Sequence, residues 1–403
     1  MINQIKKFAG KNRFCERLIY AAYRICMALY SLVFFACRIF PVKDNKIVCC
    51  NMKGKRYGDN PKYILDEIIR QDLDYELIWL MKSKDDEDMP KQVKRAPYNP
   101  FSIAYHLSTA KVWIDSNMKS CGVRKRKNQY YIQTWHGSYG LKKIACDING
   151  GNSLIDTYSA VCNAKLEDVM VSNSRKTTEI YRNAFRYSGY VLECGSPRND
   201  IFFEEQKPYR EKIDRVFGTE NKRIVLYAPT FRADFNTDCM HMDFERLLQT
   251  LEERFGGEWV VLVRLHPNNM SNAESFIRYS RRILNATAYN VMQELLVASE
   301  LLITDYSSCM FDFVTTGKPC FLYATDIDRY KGERDFYFDI FDLPFPVAQN
   351  NDELVQNIRE FDREQYREKL GGLFEQVGLC DKGTACRQVV EAIRKHCEGA
   401  GQL

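Results

Sequence analysis

Short apolar runs of four to seven residues alternate with longer helical stretches over most of this chain. Lys46–Cys50, Tyr75–Met81, Val112–Ser116, Tyr130–Trp135, Val169–Ser172 and Tyr190–Cys194 form a first set. Arg223–Ala228, Trp259–Leu265, Leu301–Thr304 and Pro319–Tyr323 form a second. A polar helical stretch from Lys207 to Gly218 lies between them and reads as a linker. Strands that alternate with helices predict parallel sheets with both faces covered. Two such sets predict an α/β protein of two doubly wound Rossmann-like domains facing a cleft, at residues 43–205 and 206–403. A length of 403 residues lets each domain bury a core.

Residues 1–42 have a different character and predict an amphipathic, basic helical segment. Residues 1–24 carry six basic side chains against one acid, while the whole chain has a net charge of +5, so the remainder is formally neutral. A nucleic-acid binder spreads basic charge over a working face. An N-terminal excess points instead to an anionic membrane surface. Residues 14–40 are almost continuously apolar, and Arg17, Arg24, Ser31 and Arg38 recur every seven residues. That spacing predicts one narrow polar stripe on a helix. Three readings stay open. The helix lies in the plane of the headgroup boundary, which suits the stripe best; it packs on the protein's own core; or it spans the bilayer. The uncharged run Ile25–Cys37 has 13 residues, short of the roughly 20 that spanning needs. The same exposed apolar helix leaves a homo-oligomer open.

The 15 cysteines include no CxxC pair, and no Cys/His cluster has zinc spacing. They read as free thiols acting as small buried hydrophobes in a reducing compartment.

Ligands of parallel sheets sit beyond the carboxyl ends of the strands, and there this sequence places its polar residues. His136 follows the run Tyr130–Trp135, with Gly137 and Gly140 permitting a tight turn. An imidazole so placed can act as acid or base near neutral pH; a histidine satisfied by local hydrogen bonds is the alternative. Cys194–Asp200 (CGSPRND) is a second turn, in which Arg198 and Asp200 are placed to pair with each other. In the second half the strands deliver Arg232, His266, Asp305 with Ser307 and Ser308, and Asp326. Ser307 and Ser308 precede a predicted helix, whose free N–H groups and dipole favour a phosphate. Arg232 can add a bidentate contact to phosphate oxygens. Neither a Walker A loop nor a GxGxxG fingerprint occurs. Two α/β halves with such turns match the two-domain GT-B type glycosyltransferase fold, and no DxD-type metal motif is present.

The stretches KGKRYGDNPKYI, QTWHGSYGLKK, CGSPRND, LYAPTFR, RLHP, LITDYSSCMFDFVTTGKPCFLY and RDFYFD run in order from near Lys46 to about Asp339. In them the chain resembles the CDP-glycerol glycerophosphotransferase family of teichoic acid synthesis. The resemblance implies transfer of glycerol phosphate, or ribitol phosphate, from CDP-glycerol or CDP-ribitol to a hydroxyl of a lipid-linked saccharide acceptor, with CMP leaving. It implies no cofactor, and a peripheral place on the cytoplasmic face of the cell membrane. It implies His136 and His266 as the catalytic pair, Arg232, Ser307 and Ser308 as donor pyrophosphate contacts, and Asp312 as a ribose or local structural group. The first domain then serves the acceptor and the second the CDP-alcohol. One departure is Asp335, where the family usually has glycine. A GT-B sugar transferase using a sugar nucleotide, a silent membrane scaffold and an RNA-binding protein are the rival readings. Intact His136, His266 and Arg232 argue against the scaffold, and the neutral body against RNA.

Overall fold

The structure, a computed structural model, describes residues 13–83, 86, 88–148, 153–230, 232, 238–265, 277–333 and 335–399. The chain forms two compact units. The first contains Met1–Gly137, Ile144–Asp200 and Cys380–Leu403; the second contains Ser138–Lys143 and Ile201–Leu379.

The first unit is built on strands β1 (Lys43–Cys50), β2 (Glu76–Met81), β3 (Val93–Pro97), β4 (Ala110–Asp115), β5 (Tyr130–Gln133), β6 (Val169–Ser172) and β7 (Tyr190–Glu193). They form one parallel sheet in the order β3-β2-β1-β4-β5-β6-β7. Strand periodicity sorts the side chains. Ile47, Cys49, Leu77, Trp79, Val112 and Ile114 enter one core layer, while Val48, Cys50, Ile78, Leu80 and Trp113 enter the other. The adjacent Cys49 and Cys50 thus point to opposite faces. The sequence reading missed β3, whose Lys94 and Arg95 mask an edge strand that is only partly buried.

The second unit has β8 (Arg223–Tyr227), β9 (Trp259–Val263), β10 (Ile283–Asn285), β11 (Leu301–Thr304), β12 (Cys320–Tyr323) and β13 (Val347–Ala348). Its sheet is also parallel, in the order β10-β9-β8-β11-β12-β13. The short edge strands β10 and β13 carried no sequence signal. Lys207–Phe217, read as a linker, is a regular helix closed by Gly218 at φ 65°.

The expected boundary at 205/206 falls at Asp200, and the chain end is not part of the second unit. The terminal helix Ala385–Cys397 places Ala385, Val389, Val390 and Ile393 against Ile64, Leu65 and Ile68 of helix Asp59–Arg70. The Asp200 carboxylate accepts the amides of Ala385 (3.1 Å) and Cys386 (2.7 Å) and so caps that helix. Arg198, which the sequence places two residues from Asp200, reaches Asp59 at 2.9 Å.

The N-terminal helix runs Arg13–Ala36 and tightens into a 3-10 turn at Cys37–Ile39. One face docks on the first unit. Tyr20 and Tyr23 meet Tyr158 edge-on, Tyr30 Oη donates to the Pro100 carbonyl at 3.1 Å, and Phe34 is fully buried. Gly122 permits this approach: a Cβ there would lie 2.7 Å from the Tyr30 ring and 2.8 Å from the Met27 carbonyl oxygen. The opposite face exposes Phe14, Leu18, Ile25, Leu29, Leu32, Phe35 and Ile39. Arg17, Arg24 and Arg38 are exposed as expected of the stripe, but Ser31 is buried and donates to the Ala28 carbonyl. By length and composition alone, Phe14–Ile39 is long and apolar enough to cross a membrane.

Candidate active site

Both sheets reverse their winding direction after the third strand. In the first unit the chain lays down β1, β2 and β3 outward, then returns to place β4 on the other side of β1. The crevice at the carboxyl ends of β1 and β4 is the topological switch point, where open α/β sheets bind ligands. Asn51 follows β1 and Ser116 follows β4, and the Ser116 hydroxyl donates to Asn51 Oδ1 at 2.7 Å. His136 arrives from β5. Trp135, at φ 52°, turns the chain through the left-handed region and lays its ring 4.1 Å from the imidazole.

His136 Nδ1 lies 2.7 Å from the Ser116 carbonyl oxygen. A carbonyl only accepts, so Nδ1 carries the proton and the neutral ring keeps its lone pair on Nε2. Burial lowers the imidazole pKa, and the Ser116 carbonyl and Asp59 oppose that shift only in part. The residue is half-buried. A neutral, oriented imidazole with its lone pair on Nε2 has the form of a general base.

The second unit repeats the winding. Its switch point lies between β8 and β11. Arg232 follows β8, and Asp305, Tyr306, Ser307 and Ser308 follow β11. Arg232 is only 2% exposed. Its Nη2 lies 2.8 Å from Asp305 Oδ2, and its Nε and Nη2 grip Asp326 at 2.8 and 2.9 Å. Its Nη1 donates to the Thr230 carbonyl at 2.6 Å. Tyr306 and Tyr330, stacked at 4.0 Å, each lie 4.9 Å from the guanidinium. Burial pushes the Asp326 carboxyl up, but hydrogen bonding and charge from Arg232 outweigh this and hold it below the usual range. Asp305 Oδ1 also accepts the amides of Thr230 (2.8 Å) and Tyr306 (2.5 Å), tying the two strand-end turns together.

Ser307 and Ser308 are half-buried at the head of helix Cys309–Phe313, Ser308 occupying the N-cap position. Asp312, in that helix's first turn, is buried. His266 lies outside the described residues.

The profile of the family described as CDP-Glycerol:Poly(glycerophosphate) glycerophosphotransferase matches residues 32–395. The chain belongs to this family. A teichoic acid poly(glycerol phosphate) polymerase of Staphylococcus epidermidis is 32% identical over 370 residues, which are 88% of this chain and 51% of that protein. The chain thus spans about half the length of that relative. A teichoic acid glycerol-phosphate transferase of Staphylococcus aureus is 31% identical over 87% of this chain and 93% of its own length. Among solved structures, the wall teichoic acid polymerase TagF superposes with a TM-score of 0.80 at 29% identity, covering 98% of this chain and 99% of that one.

The glycerophosphotransferase motifs therefore settle at two switch points. QTWHG reaches the first, where His136 meets Ser116. APTFR and TDYSS meet at the second. What the sequence reading missed is the support: Asn51 and Ser116 near the imidazole, and the pairing of Asp305 and Asp326, both named at strand ends, with Arg232. Their signal was position, since each follows a β-strand directly or within a few residues.

Proposed function

We propose that this chain transfers a polyol phosphate, glycerol phosphate foremost, from a CDP-alcohol to a hydroxyl of a lipid-linked saccharide acceptor. The reaction belongs to teichoic acid or related surface-polymer synthesis. The observation that carries the reading is His136, held as the Nδ1–H tautomer at a ligand-binding switch point of a chain in this family. The acceptor oxygen attacks the phosphorus next to the alcohol and forms the new P–O bond. His136 Nε2 takes the acceptor's proton, the P–O bond to CMP breaks, and CMP leaves with the electron pair.

The second unit holds the donor in this reading. Ser307 and Ser308, with the helix start behind them, serve the diphosphate, and His266 stabilises its charge. Arg232 acts from behind the turn. Forked onto Asp326 and Asp305, it fixes the backbone that carries these groups. Asp312 supports the same helix start.

The protein sits on the cytoplasmic membrane face in this reading, with the N-terminal helix in the plane of the interface. A docked tyrosine face and an exposed apolar face with Arg17, Arg24 and Arg38 fit that orientation better than a span.

CMP release tests the chemistry. Purified protein is offered CDP-glycerol, then CDP-ribitol, with and without lipid-linked disaccharide acceptor. Acceptor-dependent CMP from one donor is the expected result and identifies the alcohol; no CMP from either overturns the assignment. Flotation with vesicles tests the membrane reading, which requires stronger binding to anionic than to neutral vesicles.

A further inference from the structure

Two buried side chains of the first unit have their polar groups aimed at the backbone of the histidine turn, and the reaction as derived uses neither. Asn60 is 2% exposed and Arg198 5%. The Asn60 amide nitrogen Nδ2 donates to the carbonyls of Trp135 (3.2 Å) and Thr134 (3.4 Å). Its Oδ1 accepts the Arg198 amide at 3.0 Å. Arg198 Nη1 reaches two acceptors, each at 2.9 Å: the His136 carbonyl oxygen and Asp59 Oδ1. Asp59 Oδ1 also accepts the Asn60 amide at 2.8 Å. Three consecutive carbonyls, of Thr134, Trp135 and His136, are therefore held by Asn60 and Arg198.

Those carbonyls surround Trp135, which stands at a positive φ of 52°. Asp59 too stands at φ 58°, at the start of its helix. Bulky residues persist in this region only where the surroundings over-determine them, and such residues cluster where geometry serves function. Among the described residues the imidazole has a single side-chain hydrogen bond, to the Ser116 carbonyl. Its direction therefore depends on where the backbone beneath it is held.

We propose that Asp59, Asn60 and Arg198 are positioning residues for His136, a clamp that fixes the strained turn and aims Nε2. The proposal rests on His136 being the general base. It gives DNP in KGKRYGDNPKYI and SPR in CGSPRND a common purpose, because the strand-end loops after β1, β5 and β7 meet at one backbone. The clamp also brings balanced charge. The charged groups acting on the imidazole are Asp59, Arg198 and Asp115, the last paired with Lys119. Burial lowers the imidazole pKa most; Asp59 and Asp115 favour the imidazolium and Arg198 opposes it, so a closed Asp59–Arg198 pair leaves the effect of burial largely intact.

The test uses the full chain carrying D59N, R198K, R198M or H136A, with CDP-glycerol as donor. Misplacing a catalytic group by about 1 Å costs about 100-fold, so R198M should lose roughly that in kcat while KM for CDP-glycerol stays within twofold. R198K should recover part of the loss, because an ammonium keeps the charge but not the guanidinium's planar geometry. The acid limb of the kcat/KM profile should move to higher pH in R198M, where Asp59 is left unopposed, and to lower pH in D59N. A merely structural role would lower the active fraction without moving the limb. Long-range proton–nitrogen spectra of 15N-histidine protein give the His136 tautomer and titration midpoint without needing turnover. Should R198M fail to fold, R198K carries the comparison of kcat and D59N that of the acid limb. Wild-type kcat in D59N and R198K together with an unmoved His136 midpoint in D59N, with H136A inactive, would overturn the clamp. Full activity in H136A would instead overturn the base assignment, and the spectra would still report whether Asp59 and Arg198 set the ring's state.

Discussion

At the first switch point the imidazole of His136 is half-buried, bound through one nitrogen to a carbonyl, and carries its lone pair on the other. At the second, the guanidinium of Arg232 is buried and grips two aspartates and a carbonyl. Both side chains follow a β-strand at the carboxyl edge of a switch point, and both read from sequence as ligand contacts. The difference teaches that position in the fold nominates a residue, whereas burial and partners decide how it acts. In the proposed reading a half-buried neutral base meets the substrate, and a cation already matched by two carboxylates organises the turn beside it.

The largest effect that sharpens this contrast is on turnover. His136→Ala should lower kcat by about 10²–10⁴-fold, the range of general base catalysis. CDP-glycerol binding by calorimetry should stay within a fewfold. A variant with normal turnover would break the contrast from the first side.

Arg232→Ala should act on stability. It leaves Asp305 and Asp326 without their buried partner, and breaking such a pair costs about 3–5 kcal/mol. Urea unfolding measures this. A variant as stable as the parent that loses only donor affinity would make Arg232 a direct contact, like His136, and erase the distinction.

The next effect is smaller and concerns pH. Burial depresses the His136 pKa, so activity should be lost as pH falls through a midpoint below the ordinary imidazole value of about 6.5. Protonation of Nε2 removes the base, so activity stands above that midpoint and fails below it. Trp135→Ala strips one wall from the ring and should move the acid limb upward. A limb that stays in place would show that Trp135 contributes no burial. Gly122→Ala should have the smallest effect, through the clash with Tyr30 and Met27. Overpacking of this kind costs about 1–3 kcal/mol, and thermal unfolding together with vesicle flotation would register a loosened helix.

Much of this site is legible in the sequence alone. The strand-end motifs nominate His136, Arg232, Ser307 and Ser308, and the structure places each beyond the carboxyl end of a strand, because a parallel sheet presents its loops at one edge. The pairings are not legible. Arg198 and Asp200 are two residues apart, and adjacency suggests a mutual ion pair. Asp200 caps a helix that begins 185 residues later, and Arg198 reaches Asp59, 139 residues earlier, partners that local spacing does not name. The polar stripe of the N-terminal helix is right for its arginines and wrong for Ser31, since docking on the first unit buries that position.

By itself the sequence determined the alternation of strand and helix, the two parallel sheets and the family. These follow from local periodicity and from motifs carried within single loops, which need no partner to be read. Only the tertiary structure decided which charge meets which, that the terminal helix returns to the first unit, and that Trp135 takes a left-handed turn. Those outcomes depend on groups far apart in the chain, each desolvated together and each requiring a partner once buried.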